Sequence, residues 1–297
     1  MKRILAATLV MGALADPAMA QGGSTLEEDR AAVEAAARDY MEGALYADAD
    51  RMTRAVHPGL TKVVVRNNRL TGRQFLSYNT ATLLVEWVRS AEERMENVDK
   101  NVDVTVFDID TRLATARAVG SVWYDFLQLA KIDGEWRIVN ILWSPNNVVG
   151  PNHSAADEEA RVVPTARDSA QVVAQARNYI EGSFTGDAGR MEGALHPELT
   201  KVALAHDPTT GRPYLRTMGA SDLIEGTLAG MGMVPEDEWH IDVEIQDVSH
   251  GIASVKVTSS MYIDYLQMGK VNEAWKIINV LWVPNPERPR LRPSLRR

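Results

Sequence analysis

The sequence predicts an α+β fold built twice, and three observations predict it. The chain aligns with itself at a constant offset of 139 residues: Tyr40 with Tyr179, His57-Pro58 with His196-Pro197, Gly72-Arg73 with Gly211-Arg212, and Trp136, Asn140 and Trp143 with Trp275, Asn279 and Trp282. No net gap is needed over residues 30–145. Two copies of this length indicate a duplicated globular domain rather than a solenoid. Within each copy, apolar residues first recur at helical spacing and then alternate at period two. Helices followed by a strand meander imply a curved antiparallel sheet wrapping a helical layer.

Residues 25–46 carry the first helical pattern, with Thr25 and Glu28 spaced as a capping box. Residues 48–56 make a second, short helix stopped by Pro58. The β-branched run 60–66, LTKVVVR, is expected as a strand, and 73–93 as a third helix. Strand patterns follow at 101–109, 112–130 and 135–143, with Gly134 as the last turn and Glu273 in its place in the second copy. These elements set the expected domains at 25–145 and 167–284, joined by a Pro-, Asn- and acid-rich linker at 146–166.

The ends read differently. Met1-Lys2-Arg3, the apolar run Ile4–Ala15 and Ala18-Met19-Ala20 form the pattern of a cleavable signal peptide over 1–20, so a periplasmic or secreted location is expected. The chain has no cysteine, which an exported protein with cores of this size does not need. Residues 285–297 form a Pro- and Arg-rich tail, expected to be solvated and disordered. The formal charge of −8 argues against nucleic acid as a partner, and no stretch is apolar and long enough to insert in a membrane.

The repeated sentences DFLQLAKIDGEWRIVNILWSPN and DYLQMGKVNEAWKIINVLWVPN hold the candidate site. Alternation places Asp125 between Trp123 and Leu127 on one face, and Asp264 between Tyr262 and Leu266. A carboxylate among large apolar side chains either orders the core by accepting hydrogen bonds, for which Tyr40, His57 or a backbone amide are the donors in view, or serves acid–base chemistry. The same alternation puts Asn140 and Asn279 on the face of Trp136 and Trp275, where an amide orients a ligand or satisfies a neighbour. His57 and His196 are either proton carriers or the ends of helices before Pro. Tyr40 and Tyr179, three residues before Gly43 and Gly182, stand as ligand contacts. Glu42 and Glu181 read as a solvated helix face, Lys62 and Lys201 as strand-edge charges, and Trp143 and Trp282 as core or interface anchors. Phosphate-loop, zinc-protease and serine-hydrolase motifs are absent, and scattered histidines give no metal site, so neither a cofactor nor a metal is expected.

The series Tyr-x-Glu-Gly, His-Pro-x-Leu-x-Lys, Asp-Tyr/Phe-Leu-Gln-x-x-Lys and Trp-Arg/Lys-Ile-x-Asn-x-Leu-Trp resembles the lumazine-binding family of the nuclear transport factor 2-like superfamily. Ketosteroid isomerase, scytalone dehydratase and the polyketide cyclases (the SnoaL-like proteins) share that superfamily. The resemblance implies two tandem cone-shaped α+β barrels, each with a pocket between sheet and helices, paired through their sheets as a pseudo-dimer; higher oligomers stay open. It does not imply a reaction. Three functions remain: binding of a small apolar or aromatic molecule, with Tyr40, Trp123, Asn140, Tyr179, Tyr262 and Asn279 as contacts; a cofactor-independent lyase, dehydratase or isomerase using Asp125 with His57, or Asp264 with His196; and a non-catalytic interaction scaffold. The Gly- and Met-rich run EGTLAGMGMVPEDEW of the second half differs from its counterpart and is a candidate cover for a pocket mouth.

Overall fold

A computed structural model describes residues 24–146 and 163–288. The expected signal peptide, most of the linker and the basic tail beyond 288 lie outside the described residues.

Helix α1 (Leu26–Leu45) begins with the anticipated reciprocal cap between Thr25 and Glu28. Asp48 caps α2 (Ala49–Ala55) through the amides of Asp50 and Arg51. The two helices touch at Gly43, where a Cβ would sit 3.0 Å from the Met52 backbone nitrogen. The invariant spacing of this glycine in both halves therefore serves helix–helix approach. Strands β1 (Val56–Asn67) and β2 (Gln74–Thr80) form a hairpin, followed by α3 (Ala81–Arg89), the single turn α4 (Glu92–Met95), and the meander β3 (Asp103–Asp110), β4 (Leu113–Val119), β5 (Trp123–Ile132) and β6 (Glu135–Pro145).

The second half repeats this order with α5 (Ala166–Thr185), α6 (Ala188–Ala194), β7 (Leu195–His206), β8 (Pro213–Gly219), α7 (Ala220–Leu228), a 3₁₀ turn at Glu236–Glu238, and strands β9 (Ile241–Ser249), β10 (Ile252–Ser259), β11 (Tyr262–Val271) and β12 (Ala274–Pro284). The first sheet runs β2-β1-β6-β5-β4-β3 and the second β8-β7-β12-β11-β10-β9. Each sheet is open-edged and carries its helices on one face.

Three expectations need correction. Residues 73–93 are not one helix. Their first part is β2, in which Leu76 is buried while Phe75 and Tyr78 are exposed. The run 112–130 is two strands, broken at Gly120-Ser121-Val122, where Asn146 Nδ2 donates to the Gly120 carbonyl at 2.6 Å. The sheet is not wholly antiparallel, since β1 lies parallel to β6 and β7 parallel to β12.

Each half has a core between its helices and the inner face of its sheet. The outer faces of the two sheets pack on each other, joining Val63, Phe126 and Leu142 to Ile252, Val271 and Ile278, and Leu113 and Val139 to Val202, Tyr265 and Leu281. The polar contacts across this seam are reciprocal. Gln128 Nε2 donates to the Tyr265 carbonyl at 2.8 Å, and Gln267 Nε2 to the Phe126 carbonyl at 2.8 Å. Arg117 pairs with Asp247 at 2.9 Å, and Lys256 with Asp108 at 2.6 Å. A contact in which each half offers the same positions is the self-complementary surface of a two-fold dimer, here fused in one chain.

A carboxylate ties the start of the first helix of each half to the closing hairpin. Asp29 accepts from Trp136 Nε1 at 2.9 Å and Lys131 at 2.6 Å. Asp168 accepts from Trp275 Nε1 at 3.1 Å and Lys270 at 3.3 Å. Burial works to raise the Asp29 carboxyl, but Lys131, Trp136 and Ser24 outweigh it, so it lies below its ordinary range. The Thr165 hydroxyl, with Trp275 and Lys270, likewise holds Asp168 below its ordinary range, against burial. A depressed carboxylate stabilises the fold above its unfolded pKa near 4, and that stability is lost as pH falls through the folded pKa. In thermal melts, Asp29→Asn and Asp168→Asn are expected to cost roughly 1–2 kcal/mol each at pH 7, with the deficit shrinking steadily below about pH 4.

Candidate functional site

The site of the first half grows from β5. Its alternation turns Trp123, Asp125, Leu127 and Leu129 towards the helices, as the sequence predicts, and Tyr124, Phe126 and Gln128 towards the other half. Asp125 is fully buried. Two groups reach it from different elements: Lys62 of β1, whose Nζ lies 2.9 Å from Oδ2, and the hydroxyl of Tyr40 of α1. Lys62 also donates to the Tyr40 oxygen, closing a triangle of three buried polar groups. Burial pushes the Asp125 carboxyl up, against the pull of Lys62 and the Tyr40 hydrogen bond. It pushes the Lys62 ammonium down, against the pull of Asp125. The Tyr40 hydroxyl rises far above 10, from burial and then from the neighbouring Asp125 charge, and remains a donor.

Aromatic rings surround the ammonium. Lys62 Nζ lies 4.8 Å from the centre of the Trp143 ring, 5.1 Å from Tyr40 and 6.0 Å from Trp123, within cation–π range. Above them opens a cavity of about 300 Å³. Tyr40, Lys62, Trp123 and Trp143 form its floor, and Ala44, Arg66, Asn79, Leu83, Leu84 and Trp87 complete the lining. Trp87 of α3 stands edge-on to Trp123, 5.6 Å between ring centres at 81°. Two polar atoms here are buried without a partner, Trp143 Nε1 and Asp125 Oδ1. Asp125 itself stays behind Tyr40 and Lys62 and does not line the cavity.

The polar triangle recurs in the second half. Lys201 Nζ lies 2.8 Å from Asp264, and Tyr179 donates to the same oxygen at 3.0 Å. Lys201 stands 4.7 Å from the Trp282 ring and 5.5 Å from Tyr262. The surroundings do not recur. At the 139-residue offset, Arg66, Asn79, Leu83 and Trp87 become Ala205, Met218, Asp222 and Gly226. A Cβ on Gly226 would meet Met231 Cε at 2.7 Å, so the Met231 side chain occupies space beside that helix. A Cβ on Gly232 would meet the Ser183 hydroxyl at 2.5 Å, and Ser183 stands where Ala44 lines the first cavity. Val234 donates its amide to the Phe184 carbonyl at 3.2 Å. The Gly- and Met-rich run thus lies against the end of α5, over the position matching the first half's cavity mouth.

Several expected residues stand elsewhere. A bulge between Gln128 and Leu129 of β5 and their partners on β6 pairs Asn140 with Gln128 and Ile138 with Leu129. The extra residue flips the alternation, so Asn140 leaves the face of Trp136 and Ile138. Its Nδ2 donates to Gln128 Oε1 at 2.8 Å, within the seam between the halves, and Asn279 does the same with Gln267. His57 and His196 open β1 and β7 rather than closing a helix. Their Nδ1 atoms accept from the amides of Gly59 and Glu198, and neither ring is bonded to the buried aspartate of its half. Burial, with Arg137 nearby, lowers His57; burial also lowers His196, where Lys276 adds to the shift and Glu198 opposes it. Glu42 and Glu181 are ion-paired with Arg51 and Arg190 rather than simply solvated.

The sequence reading missed Lys62 and Lys201. Both are buried ion-pair partners, not strand-edge charges. A signal was present, because period two places Lys62 between Leu60 and Val64 on one strand face, and Lys201 repeats it between Leu199 and Ala203. Trp143, expected as an anchor, lines the cavity.

One family, described as "Putative lumazine-binding", matches residues 28–144 and again 167–283. Among solved structures, the chain is similar to a nuclear transport factor 2-like protein of unknown function from Silicibacter pomeroyi, at 18% identity, covering 41% of this chain and 99% of that one with a TM-score of 0.34. It is similar to another such protein from Shewanella baltica, at 20% identity, covering 41% and 98% with a TM-score of 0.33. A third, from Methylobacillus flagellatus, has 23% identity, coverage of 41% and 94%, and a TM-score of 0.32. No curated protein matches the chain.

Proposed function

The chain belongs to the putative lumazine-binding family, once in each half, and on that premise we propose that its N-terminal half binds a small aromatic molecule in the Lys62 cavity. The observation that carries this is the lining. Two tryptophans and a tyrosine converge on one buried ammonium, and a third tryptophan, Trp87, joins them in lining about 300 Å³. Binding sites for small molecules are mostly apolar and aromatic with a few placed polar groups, and this volume lies at their lower end, enough for one or two fused rings. The Trp143 N–H is buried without a partner, as is that of Trp282 in the second half, so the reading rests on the cavity lining rather than on this group. The bicyclic pteridinedione in the family's name, with carbonyls around a planar ring, is a ligand of this general kind.

The buried triangle is best read as the platform on which the cavity rests. It pins α1, β1 and β5 at one point and presents a cation under the rings. The acid–base reading pairs Asp125 with His57, but His57 is engaged elsewhere and neither residue lines the cavity. As proposed, the protein works outside the cytoplasm, following the expected leader at 1–20.

Native mass spectrometry of the mature protein purified from its source, followed by denaturing extraction, tests the reading. One aromatic molecule per chain is expected. A protein that stays empty against a broad metabolite extract overturns binding and turns weight to the scaffold reading.

A further inference from the structure

We propose that the ligand of the N-terminal cavity is a planar aromatic acid, its ring held among Trp87, Trp123 and Trp143 and its carboxylate met at the mouth by Arg66. This rests on the binding reading above and deepens it.

The first argument is an imbalance of hydrogen-bonding groups. Lys62 has three N–H bonds, of which Asp125 and Tyr40 take two. The indole N–H of Trp143 has no acceptor either, a feature the second half repeats at Trp282, so the donors that set the first half apart are those of Arg66. Arg66 brings five more N–H donors. Its guanidinium lies over the Trp143 ring at 5.8 Å and, among the described residues, holds no carboxylate. Against these donors the lining offers chiefly the amide oxygen of Asn79. A ligand that fits this set brings acceptors.

The second argument is the placement of charge. The Lys62 ammonium is already balanced by Asp125, whereas Arg66 has no ion-pair partner among the described residues. Lys62 and Arg66 stand four residues apart on β1, roughly 13 Å between Cα atoms. Trp143 is paired opposite Val64, midway between them. The Trp143 ring centre lies 4.8 Å from Lys62 Nζ and 5.8 Å from the Arg66 guanidinium, so a flat ring system lying along Trp143 comes within reach of both, with an uncharged acceptor at the Lys62 end and an anion at the Arg66 end. Arg meets a carboxylate through two parallel N–H bonds, which selects a carboxylate over a point acceptor. The chain as a whole carries −8, so an anion is drawn by this local charge and not by the net field.

The third argument comes from the duplication. The second half keeps the tyrosine, lysine, aspartate and inner tryptophan but has Ala205 for Arg66, Met218 for Asn79 and Gly226 for Trp87. What the halves share is the inner triangle with its tryptophan; what only the first half has is Arg66, Asn79 and Trp87 at the mouth.

The experiment uses two probes of equal shape, 2-naphthoate and 2-naphthylmethanol, titrated calorimetrically into the full mature chain and its Arg66→Gln variant at low and high salt. Arg66 is exposed, so the variant is expected to fold. The expected result is one site per chain, naphthoate binding about tenfold tighter than the alcohol, which corresponds to about 1.4 kcal/mol. That advantage shrinks with salt and falls to within about twofold in Arg66→Gln. Equal binding of both probes overturns the acid proposal and leaves aromatic binding standing. A preference for naphthoate that survives in Arg66→Gln overturns the role of Arg66. Two equivalent sites overturn the assignment to the first half. If neither probe binds, the underlying reading falls together with this one.

Discussion

Lys62→Met is expected to destabilise the protein by about 3–5 kcal/mol, because it leaves the Asp125 carboxylate buried with no countercharge. Asp125 has no route to solvent and one of its oxygens is already unpartnered, so the Tyr40 hydroxyl alone cannot replace the ammonium. The variant escapes only by keeping Asp125 protonated, in the direction burial already pushes it. A carboxyl whose folded pKa is raised contributes stability at low pH that is lost as pH rises through the folded value. The deficit of Lys62→Met is therefore smallest in acid and grows towards neutral pH. At pH 7 the thermal midpoint should fall by on the order of 10 °C. The double variant Lys62→Met/Asp125→Leu should recover most of the loss, since a buried pair replaced by apolar side chains of similar volume is often neutral. Urea unfolding of the two variants at pH 5 and pH 8 checks both points. A single variant within about 1 kcal/mol of the parent at pH 8 would mean that the pair is not what holds α1, β1 and β5 together.

Phe126→Ala is expected to cost about 3–5 kcal/mol and to separate the unfolding of the two halves. Phe126 is wholly buried in the seam, packed with Val63 and Leu142 of its own half and with Ile252 and Ile278 of the other. Tyr124 meets it edge-on at 5.6 Å and Phe107 at 6.2 Å. Removing the ring empties the middle of a surface made of two sheets, and neither sheet can close the gap without moving the other. The hydrogen bond from Gln267 to the Phe126 carbonyl lies in the same seam and loses its packing. Calorimetry should turn one cooperative transition into two. One transition at an unchanged midpoint would show that the halves do not depend on this contact.

Most of the fold was legible because the duplication states it twice. The offset of 139 matches the repeated order of elements, and alternation in β5 correctly separates Asp125 and Leu127 from Phe126 and Gln128. What stayed hidden has physical causes. Strand β2 runs directly into α3 at Thr80-Ala81, and the apolar residues on both sides merge into one apparent helix. Thr80 is in fact the helix cap, its hydroxyl accepting from the Leu83 amide. Parallel pairing of β1 with β6 joins segments some 80 residues apart in the chain, and nothing local in either strand encodes it. The bulge in the β5–β6 ladder flips Asn140 to the seam, and period-two counting cannot see a single inserted residue. Lys62 was misjudged on residue type alone. Lysines are rarely buried unpaired, so its place between two apolar neighbours pointed to a buried acid, and Asp125 was the acid left over.

The most direct test of the account follows the indole N–H resonances of the seven tryptophans by ¹⁵N NMR while 2-naphthoate is added, with single Trp→Phe variants at each position giving the assignments. The account predicts that the Trp143, Trp87 and Trp123 signals shift together and saturate at one equivalent, with Trp143 moving furthest because its ring lies between Lys62 and Arg66, while Trp282, Trp275 and Trp239 stay in place. Trp282 shifting as far as Trp143, or no indole signal shifting at all, would contradict a ligand site in the N-terminal cavity.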